Sequence, residues 1–257
     1  MMLSVRRAWD IVITTETHVY DAIVCAYRLG ISTVEELNAW RTTEQYQYAV
    51  LLNDIDYEGA TLGNGGNILS VLDGRGYSIS NFTTTNGFVN RLFDAKSVIK
   101  NVAFYGVTQD CSAWTGGIDR GVLGQWNNGT LENVYLQVHT TNVAKEHYGV
   151  LCFGMDTGSK IHNVVVDITS DSTLFHYVMM HDYALAAGNS SGIVGAYVNG
   201  STESAESAWG VNSGFHQKLS WMVAEEANDE LLGFTSEYWV IDTTARTITM
   251  QAKKKIN

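Results

Sequence analysis

A glycine followed by apolar residues, a polar turn and an apolar strand containing asparagine recurs through the middle of the chain. The three full copies cover residues 87–102, 121–134 and 149–164, and a shorter copy, residues 76–82, precedes them. The asparagines of the four copies are successively 20, 32 and 30 residues apart. A repeat of this length built from short strands predicts a β-solenoid. No single coil can bury its apolar residues, so each must stack on the next at about 4.8 Å.

Each repeat asparagine falls where the alternation of a strand points into the core. In one copy Ile99, Asn101 and Ala103 share one face, whereas Val98, Lys100 and Val102 share the other. An inward amide without partners costs about 1–3 kcal/mol, and stacked copies supply partners because an amide both donates and accepts. We therefore predict a structural ladder, rather than a catalytic role, for Asn81, Asn101, Asn133 and Asn163.

The segments on both sides of the repeat predict caps, which a solenoid needs because its last coil exposes a strand edge. Residues 19–29 show a helical pattern closed by Gly30, and a second helix begins after Ser32 or Thr33 and runs to about Thr42. The periodicity weakens over residues 171–209, except for a glycine-led strand at 192–198. Residues 219–232 show a helical pattern, and residues 238–241 and 247–250 predict either a β-hairpin or two last coil strands.

Several of these stretches match the pattern of a known repeat family. Residues 73–82 (DGRGYSISNF), 87–89 (GFV) and 97–102 (SVIKNV) resemble GLUG-type repeats, whose pattern is a DGxGYxIxN strand, a GLF glycine and an IxN strand. Residues 31–37 (ISTVEEL), 48–57 (YAVLLNDIDY) and 236–242 (SEYWVID) are similar to the family's leading helix, first strand and closing strand. The resemblance extends over about residues 30–243, except for residues 171–230, where the sequence departs from the repeat pattern.

GLUG-type repeat proteins are right-handed parallel β-helices found in bacterial surface proteins and phage particles. The resemblance therefore implies an all-β fold, a right-handed parallel β-helix (β-solenoid) with short helical caps at its ends. It implies the β-helix (31–235) and a C-terminal β cap with a basic tail (236–257). The segment that it does not cover, residues 1–30, is expected to be an N-terminal attachment or capping segment. The resemblance implies little about function, because β-helices include lyases, spikes and adhesins.

Composition narrows the range of partners. The 257 residues carry a formal net charge of −11, which disfavours nucleic acid and anionic membranes because both attract basic surfaces. With 24 glycines and no proline, the turns must rely on Gly, Asn, Asp and Ser. No apolar run reaches 18 residues, so no transmembrane helix is expected.

Cysteine use and the N-terminal residues both favour assembly inside a cell. Cys25, Cys111 and Cys152 are odd in number and scattered, so we expect buried thiols rather than a disulfide framework. Residues 1–7 are partly basic, but Asp10 and Glu16 interrupt the next stretch of chain and no apolar signal region develops. For a complete chain this predicts assembly in a host cytoplasm, as for virion proteins.

The loops between repeat strands are where a binding function is expected, because loops on a rigid scaffold carry function. The predicted contacts to a glycan or partner protein lie in two of these loops, 108–120 and 140–147, and at the residue that follows the second loop. They are Trp114, Asp119, Arg120, His147 and Tyr148. Trp and Tyr offer an apolar face with a polar edge, on which a sugar ring can stack. The alternative is that such aromatics close the core at coil corners, and we favour it for Trp126.

No catalytic residue, metal site or cofactor is predicted. Asp54 and Asp56 could be paired catalytic carboxylates, but hydrogen bonds from turn amides are the favoured interpretation. Asp110, Asp119 and Asp156 are candidate acids, although nothing places two of them about 5–9 Å apart, as glycoside hydrolysis requires. The histidines show no spacing typical of metal ligands.

Three functions are expected, in decreasing order of preference. The first is a structural virion protein of a bacteriophage (a head fibre, spike or decoration protein used in particle assembly or host attachment). It predicts a homo-oligomer, with a trimer favoured, that binds a capsid or tail protein. The second is a secreted bacterial surface or adhesin module that binds glycans at the cell surface. The third is a polysaccharide-degrading enzyme.

Overall fold

The protein is mostly β-strand, with one α-helix, over the residues that the structure describes. This computed structural model describes residues 28–43, 48–112, 121–143, 150–155, 159–171, 182–183, 193–199, 237–242 and 247–251. Its strands form a nine-stranded parallel sheet (sheet 1), a five-stranded parallel sheet (sheet 2) and a separate antiparallel pair. The expectation of an all-β protein is confirmed at this level.

The strands of the two sheets interleave along the chain. Sheet 1 contains β1 (Arg28–Ile31), β2 (Tyr48–Leu51), β3 (Ile55–Thr61), β5 (Val71–Asp73), β6 (Ser78–Thr84), β8 (Val98–Asp110), β10 (Thr130–Thr141), β12 (Lys160–Ser170) and β14 (Ile193–Asn199). Sheet 2 contains β4 (Asn67–Ile68), β7 (Arg91–Leu92), β9 (Gly124–Asn127), β11 (Cys152–Met155) and β13 (Asp182–Tyr183). The antiparallel pair is β15 (Trp239–Asp242) with β16 (Thr247–Met250). The strand predicted at residues 192–198 is confirmed as β14.

From β7 onward each strand of sheet 2 is followed along the chain by a strand of sheet 1. We call one such pair of consecutive strands a circuit. Neighbouring circuits pair in parallel, so that Leu131 lies between Ile99 and Ile161 in sheet 1. Equivalent residues of the sequence repeat therefore stand side by side.

The repeat asparagines bend the long strands of sheet 1. Asn101, Asn133 and Asn163 have φ angles of 52°, 50° and 53°, a left-handed conformation that asparagine tolerates better than most residues. Strand β8 pairs with β5 before its bend and with β6 after it. The predicted alternation through Asn101 is wrong because the bend resets it: Ile99 and Val102 are both buried in the main core.

Apolar residues from both sheets and the helix form this main core. Successive circuits contribute equivalent side chains, such as Val102, Val134 and Val164, all fully buried. Phe88 packs edge-on against Phe104, with ring centroids 5.2 Å apart. Burying each side chain of this size contributes about 1.5–3 kcal/mol, and no single circuit could bury its own.

Helix α1 (Val34–Thr42) is confirmed with its predicted cap. The Thr33 hydroxyl accepts a hydrogen bond from the Glu36 amide, and the Glu36 carboxylate accepts one from the Thr33 amide, both at 3.2 Å. Leu37 and Trp40 are buried in the main core. The helix is thus fixed to the sheets by its apolar face.

The predicted helix over residues 19–29 is wrong at its C-terminal end. Residues 28–31 form strand β1, which pairs in parallel with β2, so the boundary predicted at residue 30 falls inside sheet 1. Gly30 is a strand residue, and a Cβ there would lie 2.8 Å from Leu52 Cδ1. This glycine therefore lies inside a parallel strand beside Leu52, and not at a helix C-cap.

The two C-terminal strands pair with each other in antiparallel fashion, as the predicted β-hairpin requires, and are not two last coil strands. The antiparallel pair packs on the side of sheet 1 away from the main core, in a second apolar cluster formed by Ala103, Tyr135, Val165, Trp239, Ile248 and Met250. The indole Nε1 of Trp239 donates to Asn133 Oδ1 at 3.3 Å, and the Tyr105 hydroxyl donates to the Met250 carbonyl at 3.3 Å. The pair therefore covers sheet 1 beside the asparagine bends. The helix predicted at 219–232 lies outside the described residues.

Candidate functional site

The residues predicted to contact a glycan or partner protein all lie outside the part of the chain that the structure describes. They are Trp114, Asp119, Arg120, His147 and Tyr148, and the candidate acid Asp156 lies outside it as well. These predictions stay predictions. The first residues of the two predicted loops, 108–110 and 140–141, instead belong to strands β8 and β10.

Three of the four ladder asparagines form one hydrogen-bonded column. The amide Nδ2 of Asn163 donates to Asn133 Oδ1 at 3.1 Å, and Asn133 Nδ2 donates to Asn101 Oδ1 at 3.0 Å. Asn101 Nδ2 donates in turn to Asp73 Oδ1 at 3.1 Å. The column therefore rests on a carboxylate, Asp73, which also accepts from the Tyr48 hydroxyl at 2.9 Å. Sequence analysis did not assign Asp73 to the ladder.

The assignment of Asn81 to this column is wrong. Strand β6 pairs with β8 beyond the bend, with Ser80 opposite Tyr105, which brings Asn81 beside Gly106 instead of Asn101. The Asn81 amide donates to both carboxylate oxygens of Asp56, at 3.0 and 3.1 Å. Asn81 shares the left-handed φ of the column residues, at 56°, but belongs to a different bend.

The carboxylates of Asp54 and Asp56 accept hydrogen bonds from neighbouring amides and hydroxyls. Asp54 Oδ1 accepts from the Ser78 amide at 2.8 Å and from its hydroxyl at 3.0 Å. Asp56 Oδ1 accepts from the Glu58 amide at 2.8 Å. That bond and the bonds from Asn81 hold the pKa of Asp56 below its usual range. These contacts favour the structural interpretation over a catalytic pair.

Asp110 is the one candidate acid of the glycosidase hypothesis that lies within the described residues. Its Oδ1 accepts from Asn142 Nδ2 at 2.9 Å and from the Ser112 amide at 2.9 Å. These bonds lower the pKa of Asp110, whereas a general acid working near neutral pH needs a raised one.

Two shallow depressions lie next to each other on the outer surface of sheet 1, past the asparagine bends. The first, of about 330 Å³, is lined by Glu58, Asn81 and Thr83, and the second, of about 250 Å³, by Gln137, His139, Asp167 and Thr169. Gly106 and Thr108 line both, so the two depressions form one continuous groove. We call it the polar groove, since most of its side chains carry hydroxyl, amide, imidazole or carboxylate groups.

Hydrogen bonds hold the walls of the polar groove in place. His139 Nδ1 lies 2.9 Å from Thr169 Oγ1, and His139 Nε2 lies 3.1 Å from Asp171 Oδ1. The Tyr135 hydroxyl donates to Asp167 Oδ2 at 2.9 Å. Burial and the adjacent Asp167 charge raise the pKa of Tyr135, so this hydroxyl remains a donor.

Sequence analysis missed the polar groove, although the repeat carries a signal for it. Thr108, His139 and Thr169 follow their repeat asparagines by 7, 6 and 6 residues. Strand pairing places these three side by side, with Thr83 next to Thr108. Aligning the repeat by its asparagines would have placed His139 beside Thr169, but it would have set Val107 in place of Thr108, because β8 carries one extra residue at the register shift before Val107.

Native Cys111 and Cys152 are expected to resist alkylation. Both side chains are buried, and burial raises the pKa of each thiol to about 12, which leaves little reactive thiolate near neutral pH. Treatment with iodoacetamide, followed by peptide mass spectrometry, should leave both cysteines unmodified in the native protein and modify both in urea. Equal modification of native and unfolded protein would contradict this burial.

Within the described residues, no three His, Cys, Asp or Glu side chains are grouped in a way that could hold a metal ion. No described helix is both long enough and apolar enough to cross a membrane.

No protein-family model, curated protein or solved structure matches this chain. The similarity to GLUG-type repeat proteins therefore stays a prediction. The asparagine column, the bends and the polar groove are the structural features that bear on its function.

Proposed function

We propose that the two sheets are faces of a right-handed parallel β-helix, and that the protein is a structural protein of a bacteriophage particle. The observation that carries this proposal is the recurrence of one bend and one amide hydrogen bond in successive circuits, from Asn101 to Asn163. Crossover connections between parallel strands are right-handed in about 98% of cases, which supports the proposed hand.

The asparagine column suits a rigid scaffold. A stack in which each circuit contacts its neighbours has a length set by the number of circuits, as a fibre or spike requires. The polar groups at its bends find their partners within the stack, which supports a structural role. The lowered pKa values of Asp56 and Asp110 also fit such a role better than acid catalysis.

The similarity to GLUG-type repeats supports placement in a phage particle, as a head fibre, spike or decoration protein. In that role the chain is assembled in the host cytoplasm, becomes part of the virion and binds a capsid or tail protein. We propose no enzymatic activity for it.

As a virion protein, the full-length chain is expected to form a homotrimer. Size-exclusion chromatography with multi-angle light scattering should give three times the chain mass of 28.3 kDa. The mass should stay constant over a dilution series and fall to that of one chain in denaturant, which serves as the internal control. A chain that stays monomeric at every concentration would contradict the trimer and the assembly role together.

The polar groove favours a second candidate, a glycan-binding module at a bacterial surface. Its outer position on sheet 1 leaves Asn81, Gly106, Gln137 and Thr169 exposed. A monomeric chain that binds oligosaccharide would support this candidate over the virion protein.

A further inference from the structure

The polar groove runs across the strands of sheet 1. It begins at Glu58 on β3, crosses β6, β8 and β10, and ends at Thr169 on β12. Five neighbouring strands spaced about 4.8 Å apart give it a length of about 19 Å. An extended linear ligand fits this length better than a compact one.

Two rows of side chains line the groove. Pairing across the strands places Thr83, Thr108, His139 and Thr169 in one row. The second row contains Asn81, Gly106, Gln137 and Asp167, with Gln137 opposite Asp167. Apart from Gly106, each position thus offers a methyl-bearing hydroxyl, an imidazole, an amide or a carboxylate.

Gly106 joins the two halves of the groove because it has no side chain. Its φ is +57°, and a Cβ would lie 2.6 Å from Asn81 Oδ1. Its amide donates to Gln137 Oε1 at 3.3 Å, which links neighbouring strands within the second row. A larger residue here would separate the two depressions.

We propose that the polar groove binds a linear, uncharged oligosaccharide of about four sugar units, one to each strand spacing. A sugar ring presents C–H and O–H groups together, and threonine offers a methyl group and a hydroxyl to match them. The Asp167 and Glu58 carboxylates accept hydrogen bonds from sugar hydroxyls and repel acidic polysaccharides.

Two side chains of the groove have hydrogen-bond partners before the ligand arrives. His139 is held by Thr169 and Asp171, and Asp167 is held by Tyr135. Ordering fewer side chains on binding lowers the entropic cost, which favours affinity. The residues that line the groove belong to strands.

The test is isothermal titration of the full-length chain with cellotetraose, chitotetraose and maltotetraose, and with tetragalacturonate as the acidic counterpart. At least one neutral tetrasaccharide should bind with a Kd at or below about 1 mM, and tetragalacturonate should bind at least about tenfold more weakly. Absence of saturable binding by all three neutral sugars would overturn the proposal, as would a preference for tetragalacturonate.

Two matched variants locate the binding. Thr108→Trp fills the part common to both depressions and should weaken binding at least about tenfold. Thr61→Trp changes the same residue type in the same row, since Thr61 pairs with Thr83, but lies outside both depressions and should bind as the parent does. Equal losses in the two variants would place the ligand elsewhere and overturn the proposal.

The proposal that the groove binds an oligosaccharide rests on the proposed attachment role only for the place where the protein would meet the sugar. A trimeric chain that binds none of the sugars would remove the groove ligand and leave the assembly role intact. A monomeric chain whose sugar binding is lost in Thr108→Trp would contradict the assembly role and support the groove ligand.

Discussion

Asn133→Ala is expected to lower the free energy of unfolding by about 4 kcal/mol. The Asn133 side chain donates to Asn101 and accepts from both Asn163 and Trp239, so its removal breaks three hydrogen bonds worth about 1 kcal/mol each. Alanine at a φ of 50° adds about 1 kcal/mol of backbone strain. Equilibrium urea unfolding of the parent and the variant measures the difference.

Two further variants separate the column from the strain. Asn133→Gly breaks the same hydrogen bonds without the strain and should be about 1 kcal/mol milder than Asn133→Ala. Asn81→Ala introduces alanine at a φ of 56° in an exposed bend outside the column, and should cost about 1–2 kcal/mol. Asn81→Ala also removes the exposed hydrogen bonds to Asp56, so equal losses for Asn81→Ala and Asn133→Ala would show that the column bonds contribute no more than those exposed ones.

Gly65→Ala is expected to cost about 3 kcal/mol or to prevent soluble expression. A Cβ on Gly65 would lie 2.4 Å from Val89 Cα and 2.7 Å from Val89 C, and neither atom can move without shifting the backbone ahead of β7. The effect should appear in the yield of soluble protein and in the urea midpoint.

Gly63→Ala is the matched control for this substitution. It lies two residues away, and a Cβ there would meet no atom within 4 Å. We expect its stability to stay within about 0.5 kcal/mol of the parent. A loss as large as that of Gly65→Ala would mean that chain flexibility in this segment, and not the approach of two backbones, decides the result.

The elements that could be predicted from the sequence are those set by local chemistry. A helix start at Ser32 or Thr33 could be predicted because an N-cap hydroxyl acts on amides within one turn, as Thr33 does. The asparagines of the three full repeats predict one another because their spacing matches one circuit of chain. Neither prediction requires knowing how distant strands align.

Strand register explains why Asn81 was assigned wrongly and Asp73 was missed. Asn81 belongs to a repeat copy by its sequence, but β6 joins β8 beyond the bend, and hydrogen bonds between distant strands set that alignment. Asp73 was missed for the same reason, since only the pairing of β5 with the start of β8 brings it to Asn101.

The polar groove could not be recognised from residue types alone. Threonine or histidine on an outward position is ordinary for any exposed strand, so Thr108 or His139 by itself indicates nothing. A missing side chain at Gly106 opens the groove, and glycines are common in this chain. Only the side-by-side placement of these positions separates a groove from a plain polar surface.

The asparagine column has a direction. Every amide in it donates toward the preceding circuit, from Asn163 to Asn133 to Asn101, and the series stops at Asp73. An ionised carboxylate accepts hydrogen bonds but has none to give, so aspartate terminates the series where asparagine would relay it. An additional circuit with its own asparagine could be inserted between two existing circuits without interrupting this series of hydrogen bonds. Asp73 thus marks the start of the column, and the column could be lengthened by whole circuits only at positions that follow Asp73 along the chain.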